Sequence, residues 1–382
     1  MSGAAGKEPR ILVCFGTRPE AIKMFPVVHA LRNRGGMDVR VAVTAQHRDL
    51  LDQVLEIGEI VPDVDLDLMR AGQTLDELSA RILTSFGKVL DDLQPDRVLV
   101  HGDTLTTMMV TLSSYFRKIP VGHVEAGLRS GNIYSPWPEE VNRKVAGSVS
   151  DLHFAPTQGA ADALLAENVP SSAIYVTGNT VIDALFATRA KVEANPELAS
   201  GLDEVAVRFA DKGLIAVTAH RRENFGEGMQ AIADAIATLA NRQDVAVIFP
   251  VHPNPNVRPV MEATMGGLGN VALLEPLDYP HFVRLMAMAD LLLTDSGGVQ
   301  EEGPSFGKPV LVMRDTTERP EGIEAGTAKL VGTDRDLIVR EATRLLDDAQ
   351  AYEAMARAHN PYGDGKASAR IADAVAEAHG VA

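Results

Sequence analysis

Short, continuous apolar runs alternate with longer segments of helical period, and this pattern constrains the fold of the chain more than any other feature. The runs are Ile11 to Phe15, Val39 to Val43, Arg97 to Val100, Ile119 to Val124, Leu214 to Val217, Val245 to Phe249, Val271 to Leu274, Leu291 to Leu293 and Pro309 to Met313. Apolar runs bounded by turns suit strands buried on both faces, and their alternation with helices implies parallel βαβ units. The expected fold class is therefore α/β, doubly wound. A length of 382 residues exceeds what one core usually supports, so two domains are expected. The βαβ units pause between about Ala160 and Gly213, where Gly178-Asn179 and Asn195-Pro196 occur. This places the division near Thr177, with one doubly wound domain over 1–177 and a second over 178–365.

The polar clusters follow these runs directly. Gly16-Thr17-Arg18-Pro19-Glu20, Gln46-His47-Arg48, His101-Gly102-Asp103-Thr104 and Glu125 to Arg129 belong to the first half. His220-Arg221-Arg222-Glu223, His252-Pro253-Asn254, Ser296-Gly297-Gly298 and Arg314 to Arg319 belong to the second. In open parallel sheets ligands bind beyond the carboxyl ends of the strands, so two such edges facing one another would form a cleft. Within the stretch Thr294 to Pro309, the order apolar run, Ser-Gly-Gly, helix-compatible residues, apolar run reads as strand, tight turn, helix, strand. The free amides of the new helix's first turn would suit an anion such as a diphosphate. Glu301 and Glu302 follow, and neighbouring helix residues point about 100° apart, so one of them would face a ligand. A Gly-rich turn that binds nothing has the same local signature.

Several ionisable residues could carry chemistry. Asp103 emerges from a strand, where capping the next helix is the competing role. Glu125 emerges from Val121-Gly122-His123-Val124, with an ion pair to Arg129 as the structural alternative. Glu139 and Glu140 follow Ser135-Pro136-Trp137-Pro138, a stiff loop that aims a side chain or merely starts a helix. His220, flanked by Arg221 and Arg222, could bind or protonate a phosphate leaving group. Arg18, Lys23 and Arg319 supply positive charge, or are simply solvated or salt-bridged. No HxxxH or clustered Cys/His spacing points to a metal.

A net charge of -16 argues against nucleic-acid backbone binding as the main task, and an anionic ligand would need a locally basic pocket. The one cysteine, Cys14, lies in an apolar run and reads as a small buried hydrophobe. The first ten residues lack a signal-peptide core, and no apolar run approaches the roughly 20 residues of a membrane helix, so a cytoplasmic protein is expected.

Strings along almost the whole chain resemble the bacterial non-hydrolysing UDP-N-acetylglucosamine 2-epimerases: GTRPEAIKM at 16–24, HGDT at 101–104, GHVEAGLRS at 122–130, YSPWPEEVNR at 134–143, TGNTVIDAL at 177–185, TAHRRENFGE at 218–227, HPNPNVR at 252–258, TDSGGVQEEGPS at 294–305, RDTTERPE at 314–321 and NPYGDGKAS at 360–368. The resemblance implies a glycosyltransferase-B-type pair of Rossmann-like domains, with a C-terminal helix over about 366–382 returning to the first. It implies reversible inversion at C2 of UDP-N-acetylglucosamine to UDP-N-acetylmannosamine, through elimination of UDP to a 2-acetamidoglucal and re-addition, with no NAD and no metal. Carried to matching positions, it makes Asp103, Glu125, Glu139 and His220 the catalytic set. It makes Arg18, Lys23, Ser296, Gly297, Gly298, Glu302 and Arg319 the UDP contacts. The alternatives are a glycosyltransferase on the same fold, an epimerase for a modified UDP-sugar, and a nucleotide-sugar binding module. A homodimer is also implied.

Several members of that family bind a second UDP-N-acetylglucosamine as effector through a Gln-His-Arg-Gln run and an Arg-Gln-Thr triplet. The corresponding segments here read Gln46-His47-Arg48-Asp49 and Gly72-Gln73-Thr74. An acid replaces an amide and a glycine replaces an arginine, so a weakened effector site is expected, the alternative being that Arg48 or Arg70 swings in and restores it.

Overall fold

A computed structural model describes residues 8–45, 48–70 and 72–381. The chain divides into one compact unit of residues 1–184 with 362–382 and another of residues 185–361. Each unit is built on one sheet whose strands all run parallel.

In the first unit the strands are β1 Arg10–Phe15, β2 Asp38–Val43, β3 Val64–Asp65, β4 Arg97–His101, β5 Val121–Val124, β6 Leu152–Ala155 and β7 Ile174–Val176. They lie in the order β3-β2-β1-β4-β5-β6-β7. In the second they are β8 Gly213–Thr218, β9 Val245–Pro250, β10 Val271–Leu274, β11 Leu291–Thr294, β12 Val310–Val312 and β13 Ala328–Leu330, in the order β10-β9-β8-β11-β12-β13. Every apolar run read as a strand is one. Both faces of the central strands are covered, as β4 and β5 show by being buried at every residue. The four strands not anticipated, β3, β6, β7 and β13, are two to four residues long, and three of them lie at sheet edges. A short edge strand carries too few apolar residues to stand out as a run. One of them, β7, lies inside the stretch where the units were expected to pause.

Strand order reverses between β1 and β4 in one sheet and between β8 and β11 in the other. At such a switch point the helices leave the sheet on opposite faces, so the loops beyond the carboxyl ends diverge and leave room for a ligand. Each candidate cluster follows one of these strands or a near neighbour.

The sequence places the first division at Thr177 and the second at about 365, whereas the compact units exchange at 184/185 and 361/362. Local tethers account for the difference. The Asp183 carboxylate accepts bonds from the amides of Ala367 (3.2 Å) and Ser368 (2.7 Å), and the Asn179 amide donates to the Tyr362 carbonyl at 2.7 Å. The start of the helix Thr180–Ala194 is thereby tied to the returning chain. Gly178, at φ +90, permits this crossing: a Cβ there would stand 3.3 Å from the α-carbon of Gly363. The final helix, Ala367–Ala378, packs on the helix Arg18–Arg34, with Arg34 Nε 3.1 Å from Asp373.

Among the described residues no helix is long and apolar enough to cross a membrane. Gln46 and His47 of the expected effector run lie outside the described residues; the helix Arg48–Ile57 begins directly after them, and Gly72 adopts φ +74.

Candidate active site

In the first unit the polar groups gather beyond β1, β4 and β5. The loop after β1 turns into the helix Arg18–Arg34 through a capping box: the Thr17 side chain accepts from the Glu20 amide, and Glu20 Oε2 accepts from the amides of Gly16 (3.0 Å) and Thr17 (2.8 Å). This reciprocal arrangement satisfies orphan donors of the first turn. Glu20 is 2% exposed, and Thr104 Oγ donates to its other oxygen at 2.7 Å. Burial pushes its carboxyl up, opposed by the Thr104 bond and the charge of His101. The Thr-x-x-Glu spacing is a sequence signal for this cap, although Glu20 was not singled out by it. Pro19 and Arg18 occupy the outer part of the same turn. Among the described residues no group pairs with the Arg18 guanidinium, and Lys23 lies one turn further on the same helix.

Glu125 stands immediately past β5 in the left-handed region, at φ +60. A non-glycine residue held there costs on the order of 1–3 kcal/mol, so its surroundings must over-determine it. They do. The Ala126 amide bonds to the Phe154 carbonyl at 3.0 Å, and Gly127 turns at φ +92 against the Ala160 backbone, where a Cβ would collide. Lys23 Nζ donates to both oxygens of the Glu125 carboxylate, at 2.7 and 2.8 Å, and Nε2 of buried His101 lies 2.7 Å from Oε2. Burial would push this carboxyl up, but the charge of Lys23, then that of His101 and the bonds from both, hold it well below the usual range. The anticipated partner Arg129 pairs with Glu167 instead, at 2.7 Å. Lys23, assigned from resemblance to UDP, has its ammonium on Glu125.

Asp103 does not cap the helix Leu105–Tyr115; Thr104 does, accepting from the Thr107 amide. The Asp103 carboxylate forms an ion pair with Arg143, which also lies 3.2 Å from Glu140, and its carbonyl accepts from Asn142 Nδ2 at 2.9 Å. Arg143 was not singled out from sequence. Of the two adjacent acids that open the helix Glu139–Val149, Glu140 is fully buried and accepts from the amides of Ser130 (3.0 Å) and Gly131 (3.2 Å). Glu139 is only half-buried. The preceding loop carries cis bonds at Ser135-Pro136 and Trp137-Pro138, with Tyr134 and Trp137 exposed.

In the second unit the groups gather beyond β8, β9, β11 and β12. The helix Gly297–Glu302 starts at the first glycine itself rather than after a turn, with Ser296 at its cap position and a 3-10 segment Gly303–Phe306 following. Neither Gly297 nor Gly298 adopts positive φ, so the backbone does not demand glycine. A Cβ on Gly297 would stand 3.7 Å from Arg221 Nη2 and 3.9 Å from Arg319 Nη2, ordinary contact distances, so both guanidinium groups lie close to the start of this helix. Two guanidinium groups thus flank a first turn whose amides have no partner within the helix. Positive charge and free donors converge where an acidic chain would otherwise repel an anion. Glu301 pairs with Arg319, while Glu302 accepts from Tyr279 Oη at 2.8 Å. The two acids therefore diverge as helix geometry requires. Downstream, Arg314 ties Glu223 (2.5 Å) to Glu318 (2.6 Å), which pulls Glu318 to about 2 chiefly through that bond.

His220 follows β8, its ring stacked on His252 with centroids 5.5 Å apart and planes 19° apart. Nδ1 is 3.4 Å from Oδ1 of Asp295. His252 and Asp295 were present in the motif strings without a separate role. Only pairing of distant strand ends reveals what they touch.

Residues 29–376 match the family model described as UDP-N-acetylglucosamine 2-epimerase. A UDP-N-acetylglucosamine 2-epimerase of Escherichia coli K12 is 54% identical over 371 residues, covering 96% of this chain and 98% of that protein. A probable UDP-N-acetylglucosamine 2-epimerase of Ralstonia nicotianae is 56% identical over 368 residues, with coverage of 96% and 98%. Among solved structures, the Neisseria meningitidis UDP-GlcNAc 2-epimerase bound to UDP-GlcNAc superposes with a TM-score of 0.87 at 47% identity, covering 96% of this chain and all of that one. Two Rossmann-like parallel sheets with acids and cations at their switch points, and identity of this extent along nearly the full length, place the chain in the UDP-N-acetylglucosamine 2-epimerase family.

Proposed function

We propose that this chain interconverts UDP-N-acetylglucosamine and UDP-N-acetylmannosamine by eliminating UDP and adding it back. The C2 proton is not acidic, so direct removal is poor. Loss of that proton together with cleavage of the C1–O bond to UDP gives a 2-acetamidoglucal; return of a proton to the other face of C2 and attack of the diphosphate oxygen on C1 give the epimer. Asp103, Glu125 and Glu139 are the groups for proton transfer and sugar orientation. His220, Arg18, Arg319 and the amides of Gly297 and Gly298 meet charge on the diphosphate, Ser296 adds a hydroxyl there, and Glu302 takes the ribose hydroxyls. Lys23 enters this scheme through Glu125.

The observation that carries the reading is the state of Glu125, a buried carboxylate kept ionised by Lys23 and His101 at the end of a central strand. Such a group stays charged at neutral pH and can stabilise positive charge on a departing sugar. The test is incubation with UDP-N-acetylglucosamine in deuterated water. Deuterium at C2 of recovered UDP-sugar, without added acceptor, is expected. No exchange, or UDP release only with an acceptor present, would transfer the case to a glycosyltransferase. His220→Asn, Asp103→Asn and Glu125→Gln should each lower turnover by orders of magnitude. The active species is proposed as a homodimer in the cytoplasm; a sedimentation mass of one chain would remove the dimer.

A further inference from the structure

Beyond the strand pair β8 and β11, whose Thr218 and Thr294 lie in register, Asp295 is fully buried and unevenly satisfied. Its Oδ2 accepts three bonds, from the amides of His220 (2.8 Å) and Arg221 (2.8 Å) and from Asn224 Nδ2 (3.2 Å). Its Oδ1 has no hydrogen-bond partner among the described residues and lies 3.4 Å from His220 Nδ1. A buried carboxylate oxygen left bare is costly unless a donor is meant for it. A small rotation of the imidazole closes this distance to a hydrogen bond. The other face of the ring rests on His252, which is itself fixed: its Nδ1 accepts from the Asn254 amide at 3.2 Å.

We propose that Asp295 is a positioning residue that holds the proton of neutral His220 on Nδ1, so that Nε2 is the nitrogen presented to the substrate. This rests on the reading above that His220 serves the diphosphate. With Nδ1–H donated to Asp295, Nε2 takes a proton from solvent as the anionic diphosphate approaches, giving an imidazolium whose charge the carboxylate stabilises. Nε2–H then donates to the UDP oxygen released as the C1–O bond breaks, and the proton returns to Nε2 when that oxygen re-attacks C1. The same carboxylate, imidazole and reacting-oxygen logic operates in hydrolase triads. The groups around the ring balance one another. Burial lowers its proton affinity, Asp295 raises it, and His252 and Arg221 lower it again, with a net shift below the ordinary histidine value. A ring poised neutral in this way depends on a fixed tautomer.

Asp295→Asn tests the inference because the fold dictates which way the amide points. Three N–H donors converge on the Oδ2 position, so the amide oxygen must take that place. The NH2 group then faces Nδ1 and forces the His220 proton onto Nε2. Nitrogen-detected NMR of imidazole-labelled protein should find His220 protonated at Nδ1 in the wild type and at Nε2 in the variant. Turnover should fall roughly 10²- to 10⁴-fold with KM within about threefold. An Nε2-protonated ring in the wild type overturns the proposal without recourse to any variant. So does a variant that keeps the Nδ1 proton, or one that reverses the tautomer with turnover within threefold of wild type. If instead His220→Asn is fully active, it is the functional assignment of His220 that fails, and the tautomer measurement still reports on Asp295 separately.

Discussion

Glu125 shows how one residue's role depends on neighbours a hundred positions away. Its partner Lys23 is 102 residues distant in sequence, and both side chains are largely buried, 6% and 15% exposed. Lys23→Met removes one partner of a buried pair and should destabilise the protein by about 3–5 kcal/mol at neutral pH. The pH dependence has a definite sign. In the wild type the folded carboxyl lies below its ordinary value of 4.5, so its stabilisation is complete above that value and is lost as pH falls through the folded one. In the variant burial is less opposed and the folded value rises, so stability is lost as pH rises from about 4.5 upward. The gap between the two proteins should therefore be widest near pH 7.5 and shrink near pH 4.5. Denaturant midpoints at both pH values measure it; a constant gap would show that Glu125 is not the group left unpaired.

At the scale of elements, the helix Arg48–Ile57 bears on regulation. Asp49, an acid where the family pattern has an amide, belongs to this helix. Its negative charge would repel an anionic effector. Gly72, at φ +74, occupies a turn that suits glycine and offers no side chain to a diphosphate. Each change is worth about 1–3 kcal/mol at a dry site, together roughly a hundredfold in affinity. Pure UDP-N-acetylmannosamine should accordingly turn over from time zero, and UDP-N-acetylglucosamine should give hyperbolic kinetics. A lag that a trace of UDP-N-acetylglucosamine abolishes would show a working effector site. In the helix Gly297–Glu302 the motif is legible in the sequence, whereas the nearness of Arg221 and Arg319 to its first turn is set by the tertiary structure.

For the whole molecule, a net charge of -16 makes binding of an anion depend on local cations and amides. UDP at about 100 times its Kd should add about 2.7 kcal/mol of stability, raising the thermal midpoint of a chain this long by roughly 3 °C. Calorimetry with and without UDP checks this, and an unmoved midpoint would argue against a diphosphate site. By itself the sequence determined the long buried strands and the position of polar clusters after them. Both follow from local hydrophobic period and turn chemistry, which act over a few residues. Only the tertiary structure decided the short strands β3, β6, β7 and β13, the choice of Lys23 over Arg129 for Glu125, and the meeting of Asp295 with His220, 75 positions apart. Those outcomes depend on strand order and on which loops a switch point brings together, and no local pattern of residues encodes that adjacency.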